Sequence, residues 1–325
     1  MAGLQKIGSD AADQKYLITH EDIIESGSAE EPYKGKSYNR KIPFVIDRVD
    51  MRTAIVESSN CYFINLVNDN KLYWNLDSIY EAVGVRIDSV TPYYLSYGID
   101  DKKHSRFRNC IQSVNDRAIG KYRQYIDAGV HRKMNDGDWQ WAWGQGTMSA
   151  TPLNMARVAS AVVNDGVMPT TQYVIPTNKE TRKMRVEKGI QLLKKGVADI
   201  LRRFMKEESE NQYYRQRKEV NLPEYVGGKT GTPERVYIKE GGVKTIYSKK
   251  RDKYITLYYH ETTRSWKSNP PKKNDGWYMF FVEGRNGKHP LAVCVRMERG
   301  PGSGSAVRLT ESVVLKVLRE NSYIE

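Results

Sequence analysis

Two short stretches gather residue types suited to acyl-transfer chemistry. Ser58-Ser59-Asn60 offers two hydroxyls and an amide; Lys229-Thr230-Gly231-Thr232 offers an ammonium followed by hydroxyls. A serine hydroxyl both donates and accepts, so Ser58 can relay a proton to a leaving amine. The Asn60 amide both donates and accepts hydrogen bonds. Lys229 supplies positive potential for a substrate carboxylate and biases nearby hydroxyls. Thr230 and Thr232 add hydroxyls, and Gly231, having no side chain, lets a strand approach a ligand closely. A plainer reading stands beside each. Ser-x-Asn also suits a helix-capping turn, and Lys-Thr-Gly-Thr suits an exposed strand end. Gly227-Gly228 before it and Pro233 after it fit a strand edge at a cleft without excluding that reading.

The flanking sequence separates the readings. Ser58 sits within DRVDMRTAIVESSNCYFINLVND, a short apolar helix, the Ser-x-Asn turn, then an aromatic and a second apolar helix. Between the two stretches lies WGQGTMSATPLNMARVASAVVNDGVMP, and after Lys229 come DGWYMFFVEG and HPLAVCVRMERG, which read as two strands. In content and order these segments resemble the transpeptidase domain of penicillin-binding proteins, nearer the monofunctional class, from about Asp47 to the C-terminus. Matching is poor over 85–140 and 235–274. The resemblance implies a serine ester formed on a D-Ala-D-Ala stem peptide, then passed to an amine. It assigns catalytic roles to Ser58, Asn60 and Lys229, and gives Thr230, Gly231 and Thr232 the substrate carboxylate. The Thr232 N–H becomes one oxyanion donor.

One motif of that family is missing. No serine in the chain is followed three positions later by lysine, so the Ser-x-x-Lys that carries nucleophile and base is absent. The opening MAGLQKIG resembles the later turns of the nucleophile helix. The expectation is therefore a fragment whose nucleophile lies a few residues before Met1, inactive alone. The competing expectation is a degenerate homologue, a non-catalytic module of the envelope. A D,D-carboxypeptidase or serine β-lactamase of the same fold is a further alternative, and the TPLNMARVASAVVNDG block favours the transpeptidase group.

Composition bounds the rest. The 325 residues carry 52 Lys and Arg against 39 Asp and Glu, a net charge of +13. Basic charge of this size raises nucleic-acid binding. The cations are interleaved with acids and no recognition motif accompanies them, so we expect no nucleic acid. Cys61, Cys110 and Cys294 have no metal spacing, and neither do the five His; no metal or other cofactor is expected. Cys61 and Cys294 read as buried small hydrophobes, and a bridge involving Cys110 stays open. The start is not basic and leads into no long apolar run, so neither signal peptide nor span is read. By resemblance the partners are the stem peptide, β-lactams and envelope assembly proteins. The location is the outer side of the cytoplasmic membrane, reached through an anchor outside this chain.

These residues need elements to position them. Asp50 reads as a helix N-cap, with Met51, Ala54 and Ile55 on one face; Phe63, Leu66 and Val67 repeat the spacing after the turn. Leu76, Ile79, Tyr80 and Val83 mark another helix, ended by Gly84. Thr151-Pro152 opens a helix whose apolar face is Leu153, Ala156, Val158, Ala159, Val162 and Val163, ended by Gly166. A further helix is expected over 187–208. Trp277 to Val282 alternates with both faces apolar, and Leu291, Val293 and Val295 alternate in the next run. Val307, Thr310, Val313, Val314, Val317 and Leu318 mark the last helix. The insertion 235–274 reads as a basic hairpin turning at Gly241-Gly242. The fold class is α+β, which the resemblance sharpens to an antiparallel sheet flanked by helices with an adjoining all-helical lobe, incomplete at the N-terminus. The expected division is a remnant and loop over 1–46, a mostly helical lobe over 47–222, and a strand-rich part over 223–325.

Overall fold

The computed structural model describes residues 1–16, 49–70, 72–84, 144, 150–170, 189–236, 240–248, 250–299 and 302–324. The poorly matching stretch 85–140 and the Cys110 within it lie outside them. The chain forms two compact units. One comprises 1–229, 279–294 and 322–325; the other comprises 230–278 and 295–321.

The first unit is built on helices whose ends the sequence marks. α1 (Ala2–Ile7) buries Leu4, and α2 (Asp10–Asp13) buries Ala11. α3 (Met51–Glu57) starts where the Asp50 carboxylate accepts the Thr53 N–H at 2.8 Å, satisfying a donor that the first turn leaves open. Met51, Ala54 and Ile55 are buried, as the spacing predicts. α4 (Asn60–Asp69) buries Leu66 and Val67. The deepest residue there is Tyr62, which the spacing did not single out. It is fully buried, and its hydroxyl donates to the Ala11 carbonyl at 3.1 Å. That bond removes the cost of hiding a phenol from water.

α5 (Tyr73–Val83) ends at Gly84, whose φ of 78° suits glycine. α6 (Pro152–Val163) has the predicted cap, extended to a reciprocal capping box between Thr151 and Asn154. Its buried face differs from the expected one. Val158, Ala159, Ala161 and Val162 are buried together with the polar Asn154 and Arg157, while Leu153 and Ala156 are half-buried. Asn154 and Arg157 both donate to the Val83 carbonyl, at 3.0 and 3.1 Å. The buried carbonyl end of α5 thus requires polar partners from α6, which apolar spacing cannot register.

β1 (Val167–Met168) and β2 (Ile190–Gln191) pair antiparallel. This corrects the helix expected over 187–208: Ile190 lies on a strand and is 53% exposed, and α7 runs Lys195–Arg215. The N–H groups of Leu192 and Leu193 donate to the Gly166 carbonyl instead of entering a helix. Gly166 (φ 88°) permits this approach, since a Cβ there would sit 2.0 Å from the Leu193 carbonyl oxygen. From Leu4 through Phe204 to Phe281, the buried side chains of this unit form one core cluster. Each fully buried aliphatic or aromatic side chain contributes about 1.5–3 kcal/mol.

The strands after α7 are β3 (Val226–Gly231), β4 (Glu234–Val236), β5 (Val243–Ser248), β6 (Lys253–His260), β7 (Ser265–Lys267), β8 (Lys272–Asn274), β9 (Gly276–Val282) and β10 (Leu291–Met297). One sheet has the order β10-β9-β3, leaving β3 at an edge among the described strands. β4 pairs β8, and β5-β6-β7 is a separate meander, all antiparallel. The β5–β6 hairpin turns at Lys250–Asp252, with Asp252 at φ 47°, and Gly241-Gly242 lies at its entry instead of at its turn. In the second unit Asp275 is fully buried. It accepts from Arg296 at 2.8 Å and from the Arg299 N–H, and its own N–H donates to the Pro233 carbonyl.

The last helix is broken by register. α8 (Ser303–Leu309) and α9 (Leu315–Glu320) flank a π-helical turn, Thr310–Val314. The extra residue of a π turn rotates the succeeding helical turns about the axis, so Leu315 is 1% exposed while Val313 and Val317 are 46% and 48% exposed. Among the described residues, no helix is long and apolar enough to cross a membrane.

Candidate active site

Ser58 ends α3 in the left-handed conformation (φ 58°), and its N–H donates to the Ala54 carbonyl. A non-glycine residue is rarely held there. The two serines divide the work. The Ser59 hydroxyl accepts the Tyr62 N–H at 3.4 Å and caps α4, which is the turn role that composition suggests. The Ser58 hydroxyl instead accepts a hydrogen bond from the Lys229 Nζ.

Lys229 reaches Ser58 from β3, where Val226, Gly227 and Gly228 are buried and the strand then emerges. Gly227 is required there, because a Cβ would lie 2.2 Å from the Phe281 ring. The Lys229 side chain is 20% exposed, with the Glu208 Oε1 of α7 3.8 Å from its Nζ. Burial lowers the Lys229 pKa below its ordinary value. The Arg215 cation acts in the same direction, and Glu208 and Glu57 oppose it.

The Glu208 carboxyl is 0% exposed and accepts from the Gln212 amide at 2.9 Å. Further along α7, Arg215 pairs with Glu57 at 2.8 Å, and Asn211 donates to the same carboxylate at 3.5 Å. Glu57 directly precedes Ser58, so α7 fixes both sides of the pair: the end of α3 through Arg215, and the amine through Glu208.

Of the residues singled out from the sequence, the structure brings Ser58 and Lys229 together. Asn60 opens α4, half-buried. Thr230 and Gly231 complete β3, half-buried, and Thr232 comes next, exposed. Within the second unit the Thr232 hydroxyl accepts the Ser303 N–H at 3.2 Å. Sequence reasoning missed Glu208 and Gln212. The signal was present: Val197, Leu201 and Phe204 repeat at helical spacing, and the next position in that stripe is Glu208. A carboxyl placed on the apolar stripe of a helix marks a buried partner.

Cys294 is half-buried on β10, where burial pushes its thiol up to about 12; the Cys61 side chain lies outside the described residues. Among the described residues no three His, Cys, Asp or Glu side chains gather as metal ligands.

Helices and antiparallel strands, with a serine turn facing a strand lysine, define a mixed α+β protein with a hydroxyl–amine site. Residues 9–295 match the family model of the penicillin-binding protein transpeptidase domain, and the chain belongs to that family. A peptidoglycan synthetase from Bifidobacterium adolescentis shares the fold at a TM-score of 0.54 and 12% identity, over 100% of this chain and 47% of its own. PBP2 of Pseudomonas aeruginosa aligns at 0.50 and 15% identity, over 100% of this chain and 58% of its own. PBPA of Mycobacterium tuberculosis is 16% identical over 83% of this chain and 49% of its own, at a TM-score of 0.46. The chain therefore spans about half the length of PBPA. No curated protein sequence matches it.

Proposed function

We propose that the chain carries part of the site of a peptidoglycan D,D-transpeptidase of the bacterial envelope, which cross-links stem peptides through an acyl-serine and is captured by β-lactams. The observation that carries this reading is the hydrogen bond between Lys229 and Ser58, two residues 171 positions apart. In this reading the Lys229 ammonium attracts the terminal carboxylate of D-Ala-D-Ala, and Ser58 passes a proton to the departing D-Ala nitrogen. Asn60 orients the peptide. Thr230 and Thr232 hold the carboxylate with Gly231 between them, and the Thr232 N–H donates to the oxyanion. No cofactor enters these steps. The envelope side of the cytoplasmic membrane follows from the substrate, and assembly partners there belong to the same proposal.

The nucleophile belongs to a Ser-x-x-Lys that these 325 residues do not contain. A second reading, a non-catalytic penicillin-binding-like module, rests on that same observation. Incubation with a fluorescent penicillin, then intact-mass measurement, tests the point. The 325-residue chain is expected to remain unmodified; a stable adduct on any of its serines overturns the assignment of roles.

A further inference from the structure

We propose that Glu208 is the positioning residue of this site: from α7 it holds the Lys229 amine against the Ser58 hydroxyl. The inference rests on the reading of Ser58 and Lys229 as the substrate-facing pair and adds to it a group that neither short motif contains.

The geometry supports this role. Glu208 is fully buried on a stripe otherwise occupied by Val197, Leu201 and Phe204. A carboxyl in such surroundings is costly unless partnered. Its Oε1 is 3.8 Å from the Lys229 Nζ and accepts from Gln212, which lies one helical turn further along and fixes the carboxyl's orientation. Arg215 and Glu57 also act on the Lys229 amine, in opposite directions. Arg215 is engaged with Glu57 at 2.8 Å, and Glu57 is itself 45% exposed. Glu208 is thus a buried acidic partner of the lysine. A flexible four-carbon stem has many rotamers, and an acceptor rooted in a 21-residue helix restricts the amine to those that reach Ser58.

The role differs from a stabilising contact. A buried ion pair is often neutral or unfavourable against an apolar residue of similar volume. That comparison removes both charges; Glu208→Leu removes one and takes the carboxyl from the Lys229 amine and from the Gln212 amide, so some loss of stability is expected and the Lys229 midpoint, not stability, separates the two roles. Glu208→Gln keeps shape and the Gln212 contact while removing the charge.

The test titrates Lys229 Nζ by NMR in lysine-labelled full chain, with Glu208→Gln and Glu208→Leu alongside. Binding of acetyl-Lys-D-Ala-D-Ala is measured on the same samples. Both variants are expected to fold, to shift the Lys229 midpoint down, and to weaken binding of the peptide. An unchanged Lys229 midpoint in both variants overturns the inference, whatever the peptide does. If the wild-type chain ignores the peptide but Lys229 still shifts, the substrate reading fails and the Glu208–Lys229 coupling stands. Should either variant unfold, the other carries the measurement. Unfolding of both assigns Glu208 a structural role and overturns the proposal.

Discussion

Ser58 and Lys229 meet because one turn and one strand are each held by α7. Ser58 is displayed in a left-handed conformation at the end of α3, whose last residue Glu57 is tied to Arg215. Lys229 emerges from a strand whose preceding residues are buried, and Glu208 lies beside its amine. The hydrogen bond between them is thus a product of tertiary packing, and each of its supports makes a separate prediction.

Lys229 titrates below its ordinary value because burial disfavours the charged form. The unfolded chain then binds more protons than the folded one between the depressed midpoint and the ordinary value of 10.5. Stability should rise with pH across that window and carry a penalty below it. Lys229→Met removes this contribution. Urea unfolding as the pH approaches 10.5 from below should show a smaller upward slope in the variant than in the wild type. Equal slopes would place the amine in water.

Gly227 faces the Phe281 ring with no room for a side chain. Gly227→Ala should cost about 1–3 kcal/mol through overpacking. Combined with Phe281→Ala, the two losses should sum to more than the double variant shows, because the second change empties the space the first one needs. Thermal unfolding of the three variants checks this. Additive losses would contradict the contact.

The π turn makes the last helix a direct test of register. Leu315→Ala should cost about 2–5 kcal/mol as a buried truncation, while Val313→Ser and Val317→Ser should fall within about 0.5 kcal/mol of wild type. The reverse ranking would restore an uninterrupted α-helical face.

That helix also shows what sequence alone conveys. The caps at Asp50 and Thr151 and the stop at Gly84 were legible, because each is a local bond between neighbours in the chain. The Ser58 and Lys229 motifs were legible through their flanks. Features that depend on a distant partner were not. Ile190 fits a helical repeat until Val167 and Met168 pair with its strand. Asn154 and Arg157 interrupt an apolar face because α5 ends against them. The 310–314 turn changes register without any glycine or proline to announce it. Glu208 went unremarked, and only its position on the stripe distinguishes it.

The most direct test is binding of acetyl-Lys-D-Ala-D-Ala to the chain, observed by ligand NMR, in wild type and Lys229→Ala. Weak saturable binding is expected, requiring the peptide's free carboxylate and lost in Lys229→Ala. Binding that survives the substitution, or that tolerates an amidated C-terminus, would contradict a carboxylate held by Lys229.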